Sequence, residues 1–249
     1  GDLYFKSHPE YYALVNGKRR PMSKFSKICY SSDEVARIYT EYILASPAEC
    51  VSISPNDGHS WCECSSCIQS NSAGAGAAYD PEKPNASGSV FLFANKVARE
   101  LKTRGSSKKI TLFAYEDYVF PPKNLDKLED NIILFLARGI NWLNDEAERK
   151  NYTDLLDEWS RRANRIVIRD YRNNLGPMIV NPYPVTAYET IQSLYGKIRN
   201  FSGISVIGDD TCAFALWGAT IHVYNTLLRD RDIPLKSILD DYYTSGWPA

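Results

Sequence analysis

Three of the six cysteines in this 249-residue chain crowd into one short stretch, WCECSSC, where Cys62, Cys64 and Cys67 form a CxCxxC pattern just after the turn sequence SPNDGHS. Sulfurs at that spacing can converge on one point, and Cys29 offers a fourth from the loop before the preceding helix. Two chemistries fit: a tetrahedral structural zinc site or a disulfide staple. The spacing leaves both open. A redox role for CxxC would call for a helix start of the thioredoxin kind, which is not evident here. Cys50 and Cys212 sit in or near apolar runs and are expected to be buried free thiols.

The second chemistry-bearing set is acidic. Asp57, Glu116 and Asp170 each follow a short apolar run, and so do the polar and aromatic residues Asn56, Trp61, Tyr115, Arg138, Trp142 and Tyr171. Cleaving a glycosidic bond takes two carboxyl groups, about 5.5 Å apart in retaining enzymes and about 6.5 to 9.5 Å in inverting ones. Asp57 is expected as the general acid with Asp170 as its partner. Glu116 serves as a substitute base or as a like charge that tunes the pair. The aromatic side chains suit stacking on the C–H face of a sugar, and the Arg138 guanidinium suits a uronic acid carboxylate. Each has a plainer reading as well: Asp57 can simply make the Asn-Asp-Gly turn, Asp170 can pair with Arg169 or Arg172, and the aromatics can pack. His59 reads as an exposed loop histidine.

The elements that must position these groups are legible as a beat of apolar runs and helix-period segments. The runs are CVSISP (50–55), KITLFAY (109–115), NIILFLA (131–137), RIVIRDY (165–171) and GISVIGD (203–209). Their length and bounding turn residues predict strands of a parallel sheet. Helices are expected after Ser31, Ser32 and Asp33, after Ser89, and over 146–163, 184–198 and 214–228, with a short one at 125–129. Alternation of this kind implies right-handed crossovers. No GxGxxG or GxxxxGK[ST] occurs, which argues against a doubly wound nucleotide-binding domain. Polar residues after every strand favour a (β/α)8 barrel type instead, with the five βα units as its C-terminal part and the first strands upstream of residue 1.

Two local features complete the organisation of this single, partial barrel domain over 1–249. Asn16-Gly17 within YYALVNGKRRP predicts a type I′ hairpin in the segment 8–20, with His8 and Glu10 fixing it. Lys18, Arg19 and Arg20 read as solvated surface. Residues 70–89, rich in Gly, Ala, Ser and Pro, are expected to form one long loop near the active site. With 29 basic and 30 acidic side chains the chain has no electrostatic footprint for nucleic acid, and no apolar run reaches the roughly 20 residues of a membrane span.

HPEYYALVNGKR (8–19), SPNDGHSWCECSSC (54–67), FANKVARELK (93–102), ITLFAYEDYVFPP (110–122) and DDYYTSGW (240–247) together resemble a domain-of-unknown-function family. That family occurs among secreted bacterial proteins of polysaccharide utilisation and is similar to barrel glycoside hydrolases such as α-glucuronidases and β-hexosaminidases. The resemblance implies a (β/α)8 barrel, a carbohydrate substrate, hydrolase activity and an extracytoplasmic location: periplasmic, cell-surface or secreted. It implies no cofactor for catalysis. A non-catalytic carbohydrate-binding barrel is the alternative, since it would keep the aromatic residues without opposed carboxylates.

Overall fold

The computed structural model describes residues 3–21, 23, 25–76, 85–138, 146–170, 188, 192, 200–206 and 211–245. Its elements begin with a hairpin of β1 (Leu14–Val15) and β2 (Lys18–Arg19). They continue with α1 (Asp33–Ala45), β3 (Cys50–Ser52), α2 (Ser65–Ala75), α3 (Ser87–Thr103), β4 (Lys109–Ala114), β5 (Ile132–Arg138), α4 (Glu146–Arg162), β6 (Ile166–Asp170), β7 (Phe201–Val206), α5 (Thr211–Arg229) and α6 (Leu235–Ser245). All five apolar runs are strands. They form one five-stranded parallel sheet, flanked by helices, in the order β3-β4-β5-β6-β7.

That order follows the chain without a reversal. A doubly wound sheet reverses at a switch point and binds nucleotides there; among the described residues this sheet has no such point. The expected barrel is not seen as a closed ring among the described residues, where the sheet is open. The fold established here is therefore mixed α/β with a parallel sheet. By compactness the chain divides into two units, one comprising Gly1–Leu134 with Arg161–Asn164 and the other Phe135–Ser160 with Arg165–Ala249.

In the first unit the core lies between β4 and the helix α3. Ile110, Leu112 and Ala114 alternate along β4 and are buried, as the two-residue period of a strand requires. The α3 stripe of Val90, Ala94, Val97, Ala98 and Leu101 is also buried, as its helical spacing demands. Ser32 caps α1 by accepting from the Val35 N–H at 3.3 Å. The hairpin turns through Asn16 and Gly17 with φ of 51° and 70°, the left-handed pair that a type I′ turn demands.

Three local expectations need correction. The helix α3 starts at Ser87 rather than after Ser89, whose hydroxyl instead bonds back to the Ala86 carbonyl. Residues 125–129 are irregular, with a bend at Asp126, and form no helix. The expected loop at 70–89 is occupied up to Ala75 by α2, which packs on α3 where both are small: a Cβ at Gly88 would sit 1.9 Å from the Ser70 carbonyl oxygen. Asn71 of α2 also accepts from the Ser89 N–H at 2.8 Å, satisfying an otherwise orphan donor in the first turn of α3.

In the second unit β6 pairs in parallel with β7, and α4 buries Tyr152, Leu155, Leu156 and Trp159 along one face. The helix expected over 184–198 falls largely outside the described residues.

Candidate functional site

The ends of β3 and β4 are adjacent because the two strands pair in parallel, Cys50 with Lys109 through Ser52 with Thr111. The pairing runs on past β3: Ile53 N–H donates to the Thr111 carbonyl at 3.0 Å, and Phe113 N–H to the Ser54 hydroxyl at 3.0 Å. Asn56 and Asp57 therefore emerge beside Tyr115, Glu116 and Asp117. Both Asp57 and Glu116 are exposed. Glu116 holds a left-handed φ of 44°, a conformation that costs a non-glycine residue about 1 kcal/mol or more and that clusters at functional sites.

One cation organises this corner. Lys27 is only 2% exposed, yet its ammonium donates to the backbone carbonyls of Asn56 and, at 2.6 Å, of Asp57, and lies 4.9 Å from the centre of the Trp61 ring. Burial pulls its pKa below the usual lysine range, while the charges of Asp57, Asp117 and Glu116 act in the other direction. The charges of three acidic groups from two strand ends thus act on one buried ammonium. Asp117 is itself tightly held: its Oδ2 accepts from the Trp61 indole at 2.6 Å and meets His59 Nδ1 at 2.7 Å. That hydrogen bond, with the Asp117 charge, raises the pKa of His59, which stays exposed to solvent. Sequence reading missed the Asp117–His59 pair. A separation of 58 residues left no local signal for it.

The remaining expected residues divide by location. Trp61 is half-buried and walls the site, T-shaped against Tyr118 at 5.5 Å. Asn56 uses its side-chain amide to hold the loop at Ser23 and Ser26, at 3.3 and 3.1 Å. Tyr115 sits at the end of β4 as anticipated. Beside Lys27 lies a cleft of about 250 Å³, bordered by the hairpin, Arg20, Phe25 and Ser60. Arg138 and Asp170 end β5 and β6, but their side chains, like all of Trp142 and Tyr171, lie outside the described residues.

Ten residues or fewer beyond Asp57, the same loop delivers Cys62, Cys64 and Cys67 to Cys29. The four sulfurs lie within 4.8 Å of one another, and Cys29 and Cys64 are 3.7 Å apart. All four are free thiols. Such a set can hold a metal such as zinc. The neighbouring Cys62 and Cys67 thiols hold the Cys29 thiol far below its ordinary range against the effect of burial, with Ser31 and Arg19 assisting. The same contacts with Cys29 push Cys62 up to about 11 and raise Cys67. Arg19 was expected on the solvated surface. Instead its Nη1 lies 4.0 Å from the Cys62 sulfur, because it pairs across the hairpin with Leu14, whose N–H also donates to Cys62 Sγ at 3.3 Å. Cys50, expected to be buried, is exposed on β3, and the Cys212 side chain lies outside the described residues.

A family model described as Domain of unknown function (DUF4838) matches residues 1–247, nearly the whole chain. The chain belongs to that family. No curated protein and no solved structure matches it. The site of this DUF4838 domain is thus read from its own residues: an open group of carboxylates over Lys27, next to a closed group of sulfurs. No helix among its described residues is long and apolar enough to cross a membrane.

Proposed function

We propose that this DUF4838 domain is a glycoside hydrolase-like domain that acts on a polysaccharide or oligosaccharide outside the cytoplasm. The observation that carries the reading is that parallel pairing of β3 and β4 brings Asp57 beside Glu116 and Asp117, over the buried Lys27 and next to the half-buried Trp61. Two of the three acids are exposed and available to a substrate. Asp57 serves as general acid, protonating the leaving oxygen, and Glu116 is the partner that attacks the anomeric carbon or activates water; Asp170, ending β6, is the other candidate for that partner. Asp117 is a positioning residue, because both donors on its Oδ2 are protein groups. Trp61, Tyr115, Trp142 and Tyr171 supply stacking faces, and Asn56 and Arg138 polar contacts, Arg138 to a uronate carboxylate.

The consecutive order of the parallel strands supports a barrel-type winding rather than a doubly wound one. A carbohydrate partner, rather than nucleic acid, fits the balanced charge.

A hydrolysis screen over a panel of neutral, uronate-containing and amino-sugar-containing glycans tests the reading, with Asp57→Asn and Glu116→Gln run in parallel. Expected is turnover of at least one glycan, reduced about 100-fold or more in each variant. Glycan binding without turnover would instead establish the non-catalytic carbohydrate-binding alternative. Turnover unchanged in both variants would move the chemistry away from these carboxylates.

A further inference from the structure

The four cysteines form a site that the carbohydrate reading does not use. Their donors come from two stretches far apart in sequence: Cys29 ahead of α1, and the short CxCxxC run that carries Cys62 and Cys64 after the SPNDG turn and Cys67 in the first turn of α2. Four thiolates bound about 2.3 Å from one ion stand about 3.8 Å from each other when the geometry is tetrahedral. Cys29 and Cys64 are 3.7 Å apart, and all four sulfurs lie within 4.8 Å. A disulfide would require about 2.0 Å and would engage the sulfurs only in pairs. Burial is arranged to match: Cys29, Cys62 and Cys67 are 4, 5 and 1% exposed, within a small apolar cluster completed by Ala13, Leu14 and Val15.

The surroundings are those of a ligated thiolate group. A divalent ion with four thiolates carries a net charge of −2, which needs donors and a cation around it. The hairpin provides both, the Leu14 N–H on Cys62 Sγ at 3.3 Å and the Arg19 guanidinium 4.0 Å from the same sulfur. The Ser31 hydroxyl lies 3.3 Å from Cys29, 3.4 Å from Cys64 and 3.3 Å from Cys67.

We propose that Cys29, Cys62, Cys64 and Cys67 bind one zinc ion as a closed structural centre that pins the hairpin, the SPNDG loop and the start of α2 together. Four Zn–S bonds form, the protons still on the thiols leave to solvent, and no electron changes hands. All four positions are filled by protein, so the ion has no open position for substrate or water and takes no part in chemistry. Its work is mechanical. The loop it fixes carries Asp57, His59 and Trp61, so the centre sets the geometry of the carboxylate group whatever reaction that group performs.

The test is elemental analysis of the full chain purified under reducing conditions without added metal, followed by cobalt(II) replacement. Expected are about one zinc per chain and, with cobalt, the intense visible bands and thiolate charge-transfer absorption of a tetrahedral tetrathiolate site. Cys64→Ser, at the half-buried donor, should lose the metal or weaken its retention against a chelator, while Cys50→Ser, at the exposed cysteine on β3, should leave both unchanged. Any of three results overturns the proposal. One is a metal-free folded protein whose melting temperature a chelator does not move. Another is a mass lower by two hydrogens per pair of cysteines, showing bridges. The last is iron in place of zinc, with the colour of an iron–thiolate centre.

Discussion

Cys29, Cys62 and Cys67 are at most 5% exposed and contact one another, whereas a few residues earlier on the same loop Asp57 and His59 stand in solvent. One group satisfies its own polar atoms from within: sulfur to sulfur, backbone N–H to sulfur, arginine beside sulfur. The other holds its cation, Lys27, underneath and leaves the carboxyl groups of Asp57 and Glu116 outward. A closed group of this kind can contribute rigidity. An open one can meet a ligand. Placing them on one loop lets the first determine the shape of the second, and that relation is what substitutions can break.

The largest effect is expected at the closed end. Cys67→Ala removes a donor that is 1% exposed and should lower the unfolding free energy by about 4 kcal/mol or more, as loss of a metal-centred staple does. Urea denaturation of the two proteins measures it; a loss under about 1 kcal/mol would show the sulfurs to be ordinary packing.

Next comes Lys27→Met, which keeps the buried stem and deletes the ammonium. The carbonyls of Asn56 and Asp57 lose their donor, so stability should fall by about 1 to 3 kcal/mol. Any glycan turnover should fall with it, because the turn carrying Asp57 is no longer held. Unchanged stability would mean that water replaces the ammonium without cost and that Lys27 does not organise the site.

Asp117→Asn should have the smallest effect on stability, below about 1 kcal/mol, since an amide oxygen can still accept from Trp61 and the partner His59 is exposed. Its signature is in titration. The Asp117 partner raises the His59 pKa above its ordinary value of about 6.5, so the pairing stabilises the fold fully below that pH and is lost as pH rises through the raised value. NMR titration of the His59 ring should show the pKa dropping back toward the ordinary value in the variant. An identical curve in both proteins would remove Asp117 as the group that positions His59.

Much of the scaffold was legible locally. The strands announced themselves as short apolar runs, the hairpin by Asn16-Gly17, and α1 by the Ser32 cap, because each signal depends only on residues within a few positions of each other. The helix α2 was not legible. SSCIQSNSAGA has weak helix formers and little apolar periodicity, and what holds it is contact with α3 at Gly88 and Asn71. Lys27 and Arg19 were missed for the opposite reason. Cations in polar stretches read as surface, and only their distant partners bring them inside.

The amino-acid sequence by itself determined the parallel α/β beat, the hairpin turn, and which residue types could ligate, protonate or stack. Periodicity, capping and thiol chemistry are properties of neighbours and of single side chains. Tertiary structure alone decided that Cys29 meets a CxCxxC some 35 residues on, that Asp117 holds His59 and Trp61 across 58 and 56 residues, and that Lys27 is buried beneath the turn that bears Asp57. Contacts of that range depend on how β3, β4 and the loops beyond them pack in three dimensions, and no local pattern encodes a distance between segments that only folding brings together.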